Sequence, residues 1–421
     1  MLTSRSLPMQ GVVGQHAADC GVLCSTRAAL VSAPHVKLTH LARLDERLAA
    51  HFDGLRIAGR IGTQLCEEAL ANSGFGEAVA AAVLAIENGD IQGVNRILAL
   101  AETMTDLQPA VVAAVGWVSA ESLREIIRGL LAAPSAFRRT VGIAALQAHR
   151  AHAGEAASAA MTDANTLQRL WGFRAAGACG SRDLLGDCLV GLNDASPACR
   201  YSAARSAVLL GDRAKSLEAL EQAALVVGPD RPHALATLLR SIRPAQTTVI
   251  LRAFSRDTSD MRTLMRAVGV AGDCHYVPWL IGQMADLKFA RLAGESFSTI
   301  TGVDLALLDL ERKPPEGIEF GPNDNPDDVN VAMDEDEGLC WADPLRVQTW
   351  WTANAHRFQP GVRYFMGAPP SWEHCLQVLK DGYQRQRIAS AEYLCLLRPG
   401  TMLFNCEAPA WRQQRWLTHM Q

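Results

Sequence analysis

The stretch LNDASPACRYSAARSAVLLGD, residues 192–212, decides the fold class. Asp194 and Ser196 belong to the residue types that commonly precede a helix. Pro197 suits the first helical position, because the backbone N–H that proline lacks has no partner there. Residues 203–210 then combine small and aliphatic side chains in a wide apolar face, which a helix would bury against a neighbour.

Gly211 marks the end of this helix, since glycine readily adopts the left-handed conformation that closes many helices. A second helix is predicted over residues 214–224, before the Gly-Pro-Asp turn at 228–230. The stretch therefore predicts an antiparallel helix pair, a unit that must pack against further copies to bury its apolar face.

A ladder of arginines with a period of 31 residues extends this unit along the chain. Its members are Arg138, Arg169, Arg200, Arg231 and Arg262. Asp163 and Asp194 each precede a ladder arginine by six residues. This spacing resembles that of HEAT repeats, in which such an Asp and Arg tie successive repeats together. The sequence thus predicts an all-α, HEAT-type solenoid of antiparallel helix pairs with helical caps, and a structural role for the ladder.

Four segments differ in composition. Residues 1–137 read as an N-terminal helical cap with degenerate repeats, and 138–312 as the repeat array. Residues 313–344 are rich in Pro, Asn and acidic side chains and lack periodicity, which predicts a long exposed loop. Residues 345–421 are rich in Trp and predict a C-terminal helical cap. The charge is concentrated in the loop, because residues 313–345 carry a net −9 while the whole chain carries −4.

The 11 cysteines form no paired framework, which favours a reducing compartment over secretion. No apolar run approaches the roughly 18 residues of a membrane span, and the N-terminus shows no signal-peptide pattern. We therefore expect a cytoplasmic protein without a membrane segment. Metalloprotease, P-loop, nucleophile-elbow and dinucleotide-binding motifs are all missing, so the sequence predicts neither an enzyme nor a bound metal or cofactor.

Three flanking phrases carry a family resemblance: LTHLARLDERLAAHFDGLRIAG, ARLAGESFSTITGVDL and WWTANAHRFQPGVRYFMGAPP. In this order around HEAT-like repeats, they resemble a bacterial HEAT-repeat family encoded in type VI secretion effector loci. The resemblance covers nearly the whole chain. It implies an immunity or accessory protein beside a secreted toxin, with a nuclease as one kind of toxin. It implies no catalytic residues.

The acidic loop is the first predicted contact surface. Its carboxylates are Asp324, Asp327, Asp328, Asp334, Glu335, Asp336 and Glu337. With no Lys or Arg among them they repel one another, which predicts an extended segment that a basic partner would neutralise. A solvated linker is the plain alternative, and the spacing lacks the glycine of a calcium-binding EF-hand loop.

Trp350 and Trp351 are a weaker candidate contact, because tryptophan is enriched both in cores and at binding hot spots. Together these features predict a protein that neutralises a basic type VI toxin by occluding it. A HEAT-like nucleic-acid-binding protein is an alternative, which the array's net charge of +3 supports only weakly and the −9 segment close by argues against. A non-catalytic adaptor for effector loading is another.

Overall fold

Helices dominate the structure, which is a computed structural model. It describes residues 9–72, 74–256, 260–316, 321 and 333–420. These residues contain 22 α-helices, and their extended pairing is limited to three isolated antiparallel bridges. The prediction of an all-α protein is therefore confirmed. None of the helices in these ranges combines the length and the apolar character that crossing a bilayer requires.

Two compact units divide the chain. Unit 1 comprises residues 1–32, 36–216 and 398–421, and unit 2 comprises 33–35 and 217–397. The boundary falls inside the predicted repeat array, and the last residues of the chain belong with the first. The four segments read from composition are local patterns, and their standing as domains stays a prediction.

Unit 1 contains twelve consecutive helices and the last helix of the chain. They are α1 (Gln10–Leu30), α2 (Leu38–Ile57), α3 (Arg60–Ala69), α4 (Phe75–Glu87), α5 (Ile91–Thr103), α6 (Gln108–Trp117), α7 (Ala120–Leu131), α8 (Ala136–Ala148), α9 (Gly154–Met161), α10 (Thr166–Ala178), α11 (Leu185–Gly191), α12 (Pro197–Leu210) and, after nine further helices, α22 (Ala410–Thr418). Helices α4, α6, α8, α10 and α12 pack each against the next, so alternate helices form a continuous row.

Helix α13 (Lys215–Leu225) crosses the boundary between the units. Unit 2 continues with α14 (Arg231–Ser241), α15 (Pro244–Phe254), α16 (Met261–Ala271), α17 (Val277–Gln283), α18 (Ala290–Thr301), α19 (Pro344–Asn354), α20 (Trp372–Asp381) and α21 (Gln384–Leu397). Here α14, α16 and α18 pack in succession, as the alternate helices of unit 1 do.

The 192–212 stretch folds as its local signals predict. Pro197 is the first residue of α12, Ser196 precedes it in extended conformation, and Gly211 ends the helix at a φ of 117°.

A returning chain segment covers the carboxyl ends of the alternate helices in unit 1. Residues 398–412, which we call the C-terminal strap, run along these ends. Arg412 donates hydrogen bonds to three carbonyls at the end of α6. Asn405 donates to the last carbonyl of α8, and the Leu403 N–H to the last carbonyl of α10. The strap thereby supplies donors to helix carbonyls that have no partner within their own helix.

Unit 2 contains a similar segment of its own. Residues 362–368, the inner strap, lie across the ends of α14, α16 and α18. Arg363 donates to three carbonyls at the end of α14. The Tyr364 N–H donates to the residue that caps α16, and the N–H groups of Met366 and Gly367 donate to the end of α18. In both units, therefore, an arginine and backbone N–H groups satisfy the helix ends.

Candidate partner-binding site

The acidic loop is closed at its base by a short antiparallel clasp. The Arg312 N–H donates to the Trp341 carbonyl at 2.7 Å, and the Asp343 N–H donates to the Leu310 carbonyl at 2.9 Å. Asp343 then caps α19 through hydrogen bonds to the first turn of that helix. The two ends of the segment are thus fixed side by side on unit 2.

Two of the predicted contact carboxylates are anchored on arginines. Asp334 accepts two hydrogen bonds from Arg291, at 2.6 and 2.8 Å, and Asp336 accepts two from Arg262, at 3.0 and 2.5 Å. Burial would raise the pKa of Asp334, but the hydrogen bonds from Arg291 and from the Asp336 N–H outweigh it, so its pKa lies below the usual value. These two aspartates hold the end of the loop on α16 and α18.

The neighbouring glutamates remain accessible. Glu335 accepts from Arg262 at 3.0 Å and from Arg266 at 3.3 Å while its side chain stays largely exposed, and Glu337 is exposed. The expectation of a self-repelling segment is therefore wrong for residues 334–336, because arginines of α16 and α18 pair with these carboxylates. Three further predicted carboxylates lie outside the described residues: Asp324, Asp327 and Asp328.

The tryptophan pair is mostly engaged in packing. Trp351 is buried, and its ring lies 5.4 Å from that of Phe358 between centroids. Trp350 is half-buried and meets Phe297 edge-on at 5.7 Å. Both rings therefore pack α19 against its neighbours. A role of these two side chains in partner contact stays a prediction, and they expose little surface for it.

The arginine ladder makes the contacts that hold successive helix pairs together. Arg169 donates to both carboxylate oxygens of Asp194, at 2.7 and 3.0 Å, and to the Asp163 carbonyl at 3.0 Å. Arg200 donates to the Asp194 carbonyl at 2.7 Å. Each arginine therefore binds the turn that precedes its own helix, and Arg169 also binds the aspartate in the turn before the next alternate helix, α12. These contacts agree with a structural role.

At the first position of the ladder, the expected contacts are made by Arg139, one residue after the predicted Arg138. Arg139, rather than Arg138, donates to the turn at 133–134 and to the Asp163 carboxylate at 2.8 Å. Arg138 instead reaches back to Glu102 on α5 at 3.1 Å. The sequence could not distinguish these two adjacent arginines by type, and the 31-residue period selects Arg138. A signal was available, since Arg139 stands six residues after the Ala133 turn, as Arg200 stands six after Asp194.

In unit 2 the carboxylates that pair with the ladder arginines lie further along the sequence than in unit 1. Arg231 opens α14 and donates to Asp260, the N-cap of α16, at 2.6 Å. Arg262 pairs with Asp336 of the acidic loop, as described above. The loop thus supplies at Arg262 the aspartate that the next helix pair would otherwise provide.

Groups with catalytic or metal-binding chemistry are buried or dispersed. All 11 cysteines are free, and burial raises the pKa of Cys24, Cys66 and Cys188 to about 12, so these thiols stay protonated. The described part of the chain holds no group of three or more His, Cys, Asp or Glu side chains suited to a metal ion. The Nε2–H of His149 donates to the Val115 carbonyl at 2.9 Å inside unit 1.

Sequence reasoning overlooked the two arginines that terminate helices. Arg412 and Arg363 each direct a buried guanidinium at carbonyls that are more than a hundred residues away in sequence. No local pattern marks such a residue. Each arginine caps the end of a helix in its own unit, Arg412 at α6 and Arg363 at α14.

No protein-family model, no curated protein and no solved structure matches this chain. The likeness to the bacterial HEAT-repeat family remains an expectation, and the contacts of the chain itself carry the functional proposal.

Proposed function

We propose that the chain is a HEAT-type repeat protein whose acidic loop binds a basic protein partner. A secreted type VI toxin, neutralised by occlusion, is the partner that the resemblance implies. The protein then works in the cytoplasm without a cofactor and without catalysis of its own. The observation that carries the proposal is the acidic loop, which has a net −9 over residues 313–345 and is fixed at its base while Glu335 and Glu337 point outward.

The repeat assignment is supported by contacts that recur in both units. In unit 1, Ser206 donates to the Phe173 carbonyl at 2.7 Å, and in unit 2, Ser296 donates to the Met265 carbonyl at 3.0 Å. Each serine also lies against a glycine of the preceding alternate helix, where a larger side chain would clash. Recurrence of one packing contact is what a stacked-repeat architecture produces.

The electrostatic part is supported by how the charges are divided. Asp334 and Asp336 are neutralised within the protein, so they hold the segment in place and add little to its outward field. The other acidic residues have no Lys or Arg among them within 314–345, and their field would attract a basic surface over a distance set by salt screening, about 8 Å at physiological ionic strength.

Nucleic-acid binding is the weaker alternative. The ladder arginines that would contact phosphates already donate to carboxylates or turn carbonyls, for example Arg169 to Asp194 and Arg262 to Asp336. Opening these pairs would expose partly buried carboxylates to the phosphates, which is unfavourable.

The test uses the product of the neighbouring gene as partner. Neutralising four acids of the loop with Asp324→Asn, Asp327→Asn, Asp328→Asn and Glu337→Gln should slow association at least several-fold and flatten its salt dependence. The measurement is stopped-flow association at two salt concentrations. A matched control removes four exposed charges elsewhere: Glu68→Gln, Asp106→Asn, Glu125→Gln and Glu221→Gln.

The control variant should associate at nearly the wild-type rate. If the loop variant does so too, with an unchanged salt slope, the loop is a linker and the proposal fails. Asp334→Asn with Asp336→Asn serves as a second control, because it should lower the melting temperature, whereas the loop variant with four substitutions should not.

A further inference from the structure

Three leucines beside the base of the acidic loop are exposed to an unusual degree. Leu307 is 80% exposed, Leu345 79% and Leu308 47%. Single exposed leucines are ordinary, but a cluster of them at a fixed site indicates an interaction surface. The question is whether these side chains form one surface, and what would cover it.

Leu307 and Leu308 are displayed by a well-ordered turn. The Asp304 carboxylate accepts from the Leu307 N–H at 3.1 Å and from the Tyr383 hydroxyl at 3.0 Å. The Leu310 N–H closes the turn on the Leu305 carbonyl at 2.8 Å, and the side chains of both these residues are buried. The turn is therefore held from within, and its two outward leucines need little further ordering to bind a partner.

Leu345 joins the same surface through the start of α19. The neighbouring Arg346 donates to the Asp309 carbonyl at 2.8 Å, and the Asp343 N–H donates to the Leu310 carbonyl at 2.9 Å. These bonds place the first turn of α19 directly beside the 304–310 turn. We call Leu307, Leu308 and Leu345 the leucine platform.

Charge indicates the occupant of the platform. The platform stands at both ends of a segment that carries a net −9 in sequence, and the exposed Asp309 carboxylate beside it pairs with Arg346 at 2.9 Å. We propose that the leucine platform is the apolar anchor for an amphipathic segment of the partner protein that also carries Lys and Arg, the charges that a segment with a net −9 attracts. This inference rests on the proposed function, which it extends from an electrostatic surface to a specific anchor.

Other occupants fit the charges poorly. A second copy of the chain would bring two acidic loops together, and an anionic membrane would repel the loop. A cationic amphipathic helix has both required properties, an apolar face for the leucines and a basic face for the carboxylates.

The experiment uses two synthetic peptides of equal length and charge. One places Leu and Lys at helical spacing, and the other carries Gln at each Leu position. The wild-type protein should bind the Leu/Lys peptide about tenfold or more tightly than the Gln/Lys peptide, because only the first can bury leucine against leucine. Fluorescence anisotropy at two salt concentrations measures both affinities.

The variant Leu307→Ser with Leu345→Ser should remove this preference without lowering the melting temperature, since both side chains are exposed. Val190→Ser with Val249→Ser is the matched control, because these valines are exposed outside the platform and should leave the preference intact. Equal preference in the wild type and the platform variant overturns the inference.

Two further outcomes separate the anchor from the proposed function. If both peptides bind equally and only the loop-charge variant weakens them, the anchor is refuted while the acidic contact stands. If the leucine preference persists without any dependence on loop charge, the anchor stands and the electrostatic proposal fails. If the wild type self-associates in sedimentation and the platform variant does not, the occupant is a second copy, and the inference is overturned.

Discussion

At the scale of single residues, the ladder shows how one side chain joins two neighbouring helix pairs. The Arg169 guanidinium reaches the Asp163 carbonyl in the turn before its own helix and the Asp194 carboxylate in the turn before α12. Its hydrogen bonds lower the pKa of Asp194, with the Ser196 N–H contributing, so that the carboxylate is charged at neutral pH. The contact is partly buried, which makes the loss of either partner more costly than the loss of a surface ion pair.

We expect Asp194→Ala to lower the free energy of unfolding by about 1–3 kcal/mol, because it leaves the Arg169 guanidinium without its carboxylate. Arg200→Ala should cost less, about 0.5–1.5 kcal/mol, since Arg200 contacts only turn carbonyls here. Urea denaturation gives both values. The exposed Asp183→Ala is the control, and an equal effect of all three substitutions would contradict the structural role of the ladder.

His149 should make the stability of unit 1 depend on pH. Burial, reinforced by the nearby Arg412, lowers its pKa from 6.5 to about 4, against the hydrogen bond with the Val115 carbonyl. Between these two pH values the unfolded chain binds a proton that the folded chain does not. The free energy of unfolding should therefore decrease as pH falls from about 6.5 towards 4, by about 1–3 kcal/mol.

The matching variant is His149→Gln, which keeps a hydrogen-bond donor for the Val115 carbonyl but does not titrate. Its urea midpoint should change less over the same pH interval than that of the wild type. A wild-type slope unchanged by the substitution would show that other groups cause the pH dependence.

At the scale of elements, the two straps act as shared caps for rows of helices. A helix leaves its last four carbonyls without partners, and a positive group at that end is also favoured by the helix dipole. Arg412 at the end of α6 and Arg363 at the end of α14 meet both needs with one guanidinium each. Burial lowers the pKa of Arg412 to about 10, with repulsion from Arg415 and Arg27, and the side chain still remains charged at neutral pH.

Arg412→Met should lower the free energy of unfolding by about 2–4 kcal/mol, because three carbonyls at the end of α6 lose their donor. Arg412→Lys should be intermediate, since lysine keeps the charge but lacks the planar fork of donors. Thermal melting of both, beside the exposed Arg415→Met, tests this. If Arg412→Met melts like Arg415→Met, the strap does not depend on this cap.

At the scale of the whole molecule, the chain path differs between the two units. Apart from residues 33–35, unit 2 is one continuous stretch, 217–397, whereas unit 1 needs the distant residues 398–421 to complete it. Each unit has its own strap. Removal of the chain end should therefore affect one unit far more than the other.

A fragment of residues 212–397 should fold cooperatively by itself, as judged by a sigmoidal thermal transition. A fragment of residues 1–227 should be destabilised because it lacks the C-terminal strap, and added peptide 398–421 should raise its melting temperature. A scrambled peptide of the same composition is the control. Full stability of 1–227 without the peptide would show that the strap is dispensable.

The sequence by itself determined the all-α class and the bounds of helices such as α12. These depend on signals within a few residues, for example Pro197 at the start and Gly211 at the end. It also located the acidic segment and most of the ladder. Such features follow from composition and from a regular period, which a single chain displays without any knowledge of contacts.

Only the tertiary structure decided which residues meet across long separations. It showed that Arg139 binds Asp163, that Arg262 pairs with Asp336 and that Arg412 donates to the end of α6. It also showed that the leucines at the base of the loop are exposed. The reason is physical: a carboxylate or a helix-end carbonyl accepts from any donor that the fold brings near, and proximity in space leaves no mark on the spacing of residues in sequence.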